Sequence, residues 1–157
     1  MISADDRYGA AQMAAPDGPY FRSVRAMTIV FRQITLADTA DFHPVLDVVA
    51  RENPYLAFIE APSMAMVEAF VRGNVVRGSP HIVALLNGGV VGWCDIVPFE
   101  RSTLAHVGSL GRGLLPECRG KGIGERLIRD AIDAARAVGL VRLQRAEFAH
   151  NTRAQAH

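Results

Sequence analysis

PECRGKGIGERL (116–127) sets Gly120, Gly122 and Gly124 at alternating positions beside Arg119 and Lys121, where an amphipathic helix begins. Glycine is the poorest ordinary helix former, so helix propensity does not explain the placement. A backbone that must be approached closely does. Amides at a helix N-terminus point outward, and the helix dipole favours negative charge there. Glycines let phosphate oxygens reach those amides without meeting a Cβ, and the two cations add local positive charge. A plain strand-to-helix turn with solvated cations is the alternative, and glycine at alternating positions weighs against it. Two phosphate-loop patterns fail. For G-x-x-x-x-G-K-[ST], Leu115 stands at the first glycine and Gly122 follows Lys121; for G-x-G-x-x-G, Glu125 or Leu127 takes the third glycine.

Working outward, HVGSLGRGLL (106–115) reads as a strand interrupted by Gly108, Gly111 and Gly113, which suggests a bulge or the close approach of a ligand. After the turn, Leu127, Ile128, Ala131, Ile132, Ala135 and Val138 form a helical stripe, and Gly139 suits the C-terminal cap. LVRLQRAEF (140–148) is a last, rather polar strand. Upstream, HIVALL and VVGWCDIV flank Asn87-Gly88-Gly89, a hairpin signal because Asn-Gly tolerates positive φ. TIVFRQI (28–34) is a β-branched strand, and TADFHPVLDVVARE (39–52) is helical, with Pro44 best placed near the first turn. Ser63 caps a second helix with the stripe Val67, Phe70, Val71 and Val75, ended by Gly78. Residues 1–26, rich in Ala, Gly and Pro, read as a mobile extension, and 27–157 as the domain. The order βααβββαβ predicts an α/β (α+β) fold with a mixed sheet.

At 157 residues with a formal net charge of +1, the chain has the size of one domain and no electrostatic footprint for nucleic acid. No long run of like charge suggests a membrane surface, and no apolar stretch approaches a transmembrane span. Two cysteines, Cys94 and Cys118, fit a reduced cytoplasm. A cytoplasmic protein without a metal is the expectation.

Arg119-Gly-Lys-Gly-Ile-Gly124 fits [QR]-x-x-G-x-[GA], preceded by the strand end Leu114-Leu-Pro-Glu-Cys118 and followed by a helix. In this setting the chain resembles the GCN5-related N-acetyltransferases over roughly residues 27 to 157. The resemblance implies a mostly antiparallel sheet flanked by helices, and acetyl-CoA as co-substrate. It implies that Arg119, Gly120, Lys121, Gly122, Ile123 and Gly124 receive the coenzyme A pyrophosphate, with Arg119 the most useful side chain. It also implies that Arg112, Gly113 and Leu114 pair with pantetheine, and that the final strand splays from the glycine-interrupted one to house the thioester. HNTRAQAH (150–157) resembles the family segment N-x-x-A-x-x-L-Y, with Asn151 and Ala154 in register. The tyrosine that follows in relatives, a last helix and two strands have no counterpart. His157 stands one residue short of the tyrosine position, and Arg145 and Glu147 put charge on the last strand.

In that family an amine attacks the thioester directly, so a base is needed. Asp95 and His106 are the leading candidates, with Glu100 in a solvated loop; histidine is the side chain that changes charge near neutral pH. Cys118 has no base nearby in sequence, which argues against a covalent cysteine. ENPYLAFIEAP (52–62) offers Tyr55, Phe58 and Glu60 toward an acceptor, a small-molecule or peptide amine. Tyr55, Phe58, Trp93, Met64 and Met66 read more readily as packing. The main expectation is an N-acetyltransferase. The alternatives are a non-catalytic acyl-CoA-binding domain, or a half-domain completed as a homodimer.

Overall fold

A computed structural model describes residues 11–13, 27–52, 59–100 and 102–145. The elements are β1 (Ala11–Met13), β2 (Met27–Gln33), α1 (Thr39–Arg51), α2 (Met64–Arg77), β3 (His81–Leu86), β4 (Gly89–Pro98), β5 (Val107–Leu114), α3 (Ile123–Ala137) and β6 (Arg142–Arg145). From β2 onward this is the βααβββαβ order expected from the sequence. The addition is β1, three residues within the stretch assigned to an extension, paired antiparallel with β2. The sheet order is β1-β2-β3-β4-β5-β6, antiparallel except for the parallel β5–β6 pair, which α3 connects.

Alternation along the strands splits the core into two layers. Ile82, Ala84, Cys94 and Ile96 pack under α3 with Leu127, Ala131 and Ala135. Val83, Leu85 and Trp93 face the other way, under Phe42, Val45 and Val49 of α1 and Val67 and Val71 of α2. Because both faces are covered, β3 reads as an unbroken apolar run rather than an alternating one.

Local chemistry sets the joints. Asn87 and Gly88 both take positive φ (50° and 84°), closing β3 onto β4 in a two-residue turn. At α3's end, the Leu140 amide donates to the Ala135 carbonyl and the Gly139 amide to that of Arg136, with Gly139 at φ 85°. That is a Schellman closure, which glycine makes without strain. Ser63 Oγ accepts from the Met66 amide at 3.3 Å, and Gly78 ends α2 at φ 67°.

Three expectations are corrected. The buried face of α2 is Val67, Val71 and Asn74, while Phe70 and Val75 are 38% and 41% exposed. Asn74 takes the third place because a buried histidine lies beneath it. Pro44 lies inside α1, past its first turn. The β5 glycines mark no bulge: the irregularity is in β4, where Val91 is skipped between the Leu85–Val90 and Ala84–Gly92 pairs.

Candidate active site

What the β5 glycines accommodate is the neighbouring strand's side chains. A Cβ at Gly113 would lie 2.3 Å from Trp93 Cη2, and one at Gly111 3.1 Å from Asp95 Oδ2. With Gly111 and Gly113 bare, Trp93 and Asp95 lie across β5 on the α1–α2 side. The Trp93 indole Nε1–H donates to Asp95 Oδ2 at 3.1 Å. Asp95 is only 8% exposed, and burial pushes its carboxyl up to about 7, opposed by that indole bond. A carboxyl so tuned exchanges a proton near neutral pH.

His81 is Asp95's cross-strand partner. Because the Ile96 amide donates to the Pro80 carbonyl, theirs is a non-hydrogen-bonded pair, the closer kind in an antiparallel ladder. His81 is fully buried, and Phe42 meets its ring edge-on at 5.1 Å. Its Nδ1 accepts from Asn74 Nδ2 at 3.2 Å, which leaves the proton on Nε2, and among the described residues Nε2 has no hydrogen-bond partner. Burial lowers its pKa to about 3, so the imidazole is neutral.

The turn closes the other end of β5. Gly120 and Gly122 take φ 77° and 81°, with nothing within 4 Å of a Cβ built at either. Conformation therefore demands these glycines, not packing. Buried Cys118 and Ile123 anchor the flanks, and Lys121 is exposed. Gly122 is the N-cap of α3 and supplies no side chain to it. The first-turn amides of α3 have no intrahelical acceptors, a donor set that fits an anion.

At the strand end, the Leu115 amide donates to the Val91 carbonyl at 2.9 Å. Leu114–Gly92 and Arg112–Cys94 are therefore non-hydrogen-bonded pairs, whose backbone groups point away from β4. They point toward β6, whose described pairing with β5 covers only Val107 to Leu110. Arg119 turns back over this end. Its Nε and one terminal nitrogen donate to the Leu114 carbonyl at 3.0 and 2.7 Å, and its fork binds Glu52 with two 2.7 Å bonds.

The sequence profile of the Acetyltransferase (GNAT) family matches residues 43–156. The chain belongs to that family. Solved structures of similar fold include an acetyltransferase of the GNAT family from Streptococcus pneumoniae, at TM-score 0.74 and 23% identity, covering 82% of this chain and 79% of that one. A ribosomal-protein-alanine N-acetyltransferase from Brucella melitensis aligns at TM-score 0.75 and 23% identity, over 80% and 78% of the two chains. A phosphinothricin acetyltransferase from Sinorhizobium meliloti, in complex with acetyl-CoA, gives TM-score 0.76 and 22% identity, over 82% and 70%. No curated protein matches significantly.

In this GNAT acetyltransferase the site residues expected from the sequence fall into three groups. Asp95 (beside Gly111), Arg112, Gly113, Leu114 and the turn 119–124 lie along the C-terminal half of β5 and beyond it. His106 does not: it is exposed just before Val107, roughly 16 Å along the extended strand from Gly111, the residue opposite Asp95. The Arg119 side chain is engaged with Glu52 and the Leu114 carbonyl. Glu100 is exposed, and burial raises the pKa of the Cys118 thiol, against a reactive thiolate. Tyr55, Phe58, Glu147, Asn151, Ala154 and His157 lie outside the described residues, as does the Arg145 side chain. Sequence reasoning missed His81, Asn74 and Glu52. His81's place opposite Asp95 follows from hairpin register, and only that signal could have found it.

Proposed function

We propose that this GNAT acetyltransferase moves the acetyl group of acetyl-CoA to a primary amine of a small molecule or peptide, with Asp95 as general base. The observation that carries the reading is a turn fit for an anion just past the end of β5, together with a carboxyl poised near neutral pH beside mid-strand Gly111. Acetyl-CoA supplies a thioester, whose carbonyl carbon gains the amine nitrogen as its C–S bond breaks; coenzyme A leaves as the thiolate, which takes a proton from water. The amides of the turn from Gly120 to Gly124 receive the pyrophosphate, and Lys121 adds positive charge beside it. The Arg112 and Leu114 backbone aligns pantetheine; at Leu114 the amide serves, since its carbonyl already accepts from Arg119. Asp95 takes the proton lost by the ammonium, directly or through one water, and the Trp93 indole fixes the orientation of its carboxylate. Burial that raises the Asp95 pKa also makes it a stronger base than a solvated carboxylate.

The test is thiol release from acetyl-CoA across a panel of small amines and peptide N-termini. Release above the hydrolytic background with at least one amine is expected, rising with pH through about 7 in step with Asp95. Tight acetyl-CoA binding without release on any amine would favour a non-catalytic acyl-CoA-binding domain instead.

A further inference from the structure

We infer that Glu52 is a positioning residue for the acyl-donor site, acting through the Arg119 guanidinium; this rests on the acetyl-CoA reading above. Glu52 stands at the C-terminal end of α1, far in sequence from the turn, and meets Arg119 in a two-bond fork at 2.7 Å. The same guanidinium holds the Leu114 carbonyl. One cation therefore ties the end of α1, the end of β5 and the start of the turn. Both partners are partly buried, with side-chain exposures of 22% for Arg119 and 25% for Glu52. A bidentate, charge-assisted pair in that setting is stiffer and less screened than a surface pair.

The turn needs such a clamp. Gly120 and Gly122 contribute no side chain, and among the described residues nothing lies within 4 Å of where a Cβ on either would be. Between the buried anchors Cys118 and Ile123, packing does little to fix where the amides point. Glycine in this conformation is easily displaced as well as easily formed. Arg119, braced by Glu52, sets the origin of the turn relative to the strand end that would line up pantetheine. Glu52 also neutralises the Arg119 charge, so the pair orients the turn without placing a second free cation beside Lys121.

That balance gives the experiment a sign. In Glu52→Gln the fork is lost while Arg119 keeps its charge. If Glu52 positions the turn, the Kd and KM for acetyl-CoA rise about tenfold, with kcat and the acceptor KM within about twofold. Glu52→Asp recovers part of the loss. If Glu52 merely restrains a direct phosphate ligand, Glu52→Gln binds acetyl-CoA as tightly as wild type or tighter, and the inference is overturned. Hydrogen exchange of the Arg119–Gly124 amides in the protein without acetyl-CoA judges the clamp even if the acetyl-CoA reading fails. Exchange about tenfold faster in the turn, with the α3 core unchanged, supports the inference; unchanged turn exchange refutes it.

Discussion

Asp95→Asn is expected to lower kcat/KM for amine acetylation about 100- to 10,000-fold, the range over which a positioned general base contributes. The substitution preserves shape and can still accept from the Trp93 indole, but it cannot take a proton. The wild-type rate rises with pH to a plateau above about 7, and the variant loses that limb. Stability moves the other way. The Asp95 pKa in the folded chain, about 7 against an ordinary 3.8, means the folded state keeps a proton that the unfolded state releases. Its contribution is therefore lost as pH rises from about 3.8 to 7. His81 has the opposite slope: its pKa falls from 6.5 to about 3 on folding, so stability is lost as pH drops through that window. In wild type the two oppose each other where the windows overlap. Asp95→Asn leaves only the His81 slope, and at pH 8 is more stable than wild type by on the order of a few kcal/mol. Urea unfolding at pH 5 and pH 8 reads this, and wild-type activity in the variant would remove Asp95 from the mechanism.

Gly113→Ala is expected to destabilise the fold by roughly 2–3 kcal/mol, the upper part of the usual overpacking range. Its Cβ would stand 2.3 and 2.4 Å from the Trp93 ring and 3.0 Å from Val49 Cγ1. Trp93 cannot swing aside, because it is 2% exposed and Phe42 meets it edge-on at 5.3 Å. Any shift it makes moves the indole that holds Asp95, so activity falls more than stability alone implies. The unfolding midpoint in urea at constant slope measures the first effect, and kcat under conditions where the variant is fully folded measures the second. A midpoint within 0.5 kcal/mol of wild type, on the order of an ordinary surface change, would contradict the packing account.

The sequence carried the order of elements because each signal was local. Asn87-Gly88 announced a hairpin, Gly139 a helix end, and the run from Leu127 to Ala135 a buried helical face. PECRGKGIGERL was legible for the same reason: positive φ at Gly120 and Gly122 and the start of α3 all lie within a few residues. The unread parts needed contacts between distant residues. Ala11–Met13 is too short to show alternation, and its strand exists through pairing with β2. The His81–Asp95 pair depends on hairpin register, and the Glu52–Arg119 fork joins residues 67 apart in sequence. His106 and Asp95 looked equivalent along the chain; strand direction separates them, since the turn lies beyond Leu114 and His106 precedes Val107. Gly111 and Gly113 were recognisable as sites of close approach, but the approaching groups are Asp95 and Trp93.

Calorimetric titration of acetyl-CoA into wild type and Gly122→Asp tests the central claim most directly. Aspartate tolerates the left-handed conformation of Gly122 better than most residues and caps a helix well, so the variant stays folded. Its carboxylate also occupies the amides that would receive pyrophosphate, and repels it. The account predicts one acetyl-CoA bound per wild-type chain, displaced by coenzyme A, and affinity lower by about 100-fold or more in Gly122→Asp, measured at a temperature where the variant, its midpoint lowered by the strain of a left-handed aspartate, is still fully folded. Absence of binding by wild type at near-millimolar acetyl-CoA, or equal binding by the variant, would contradict it.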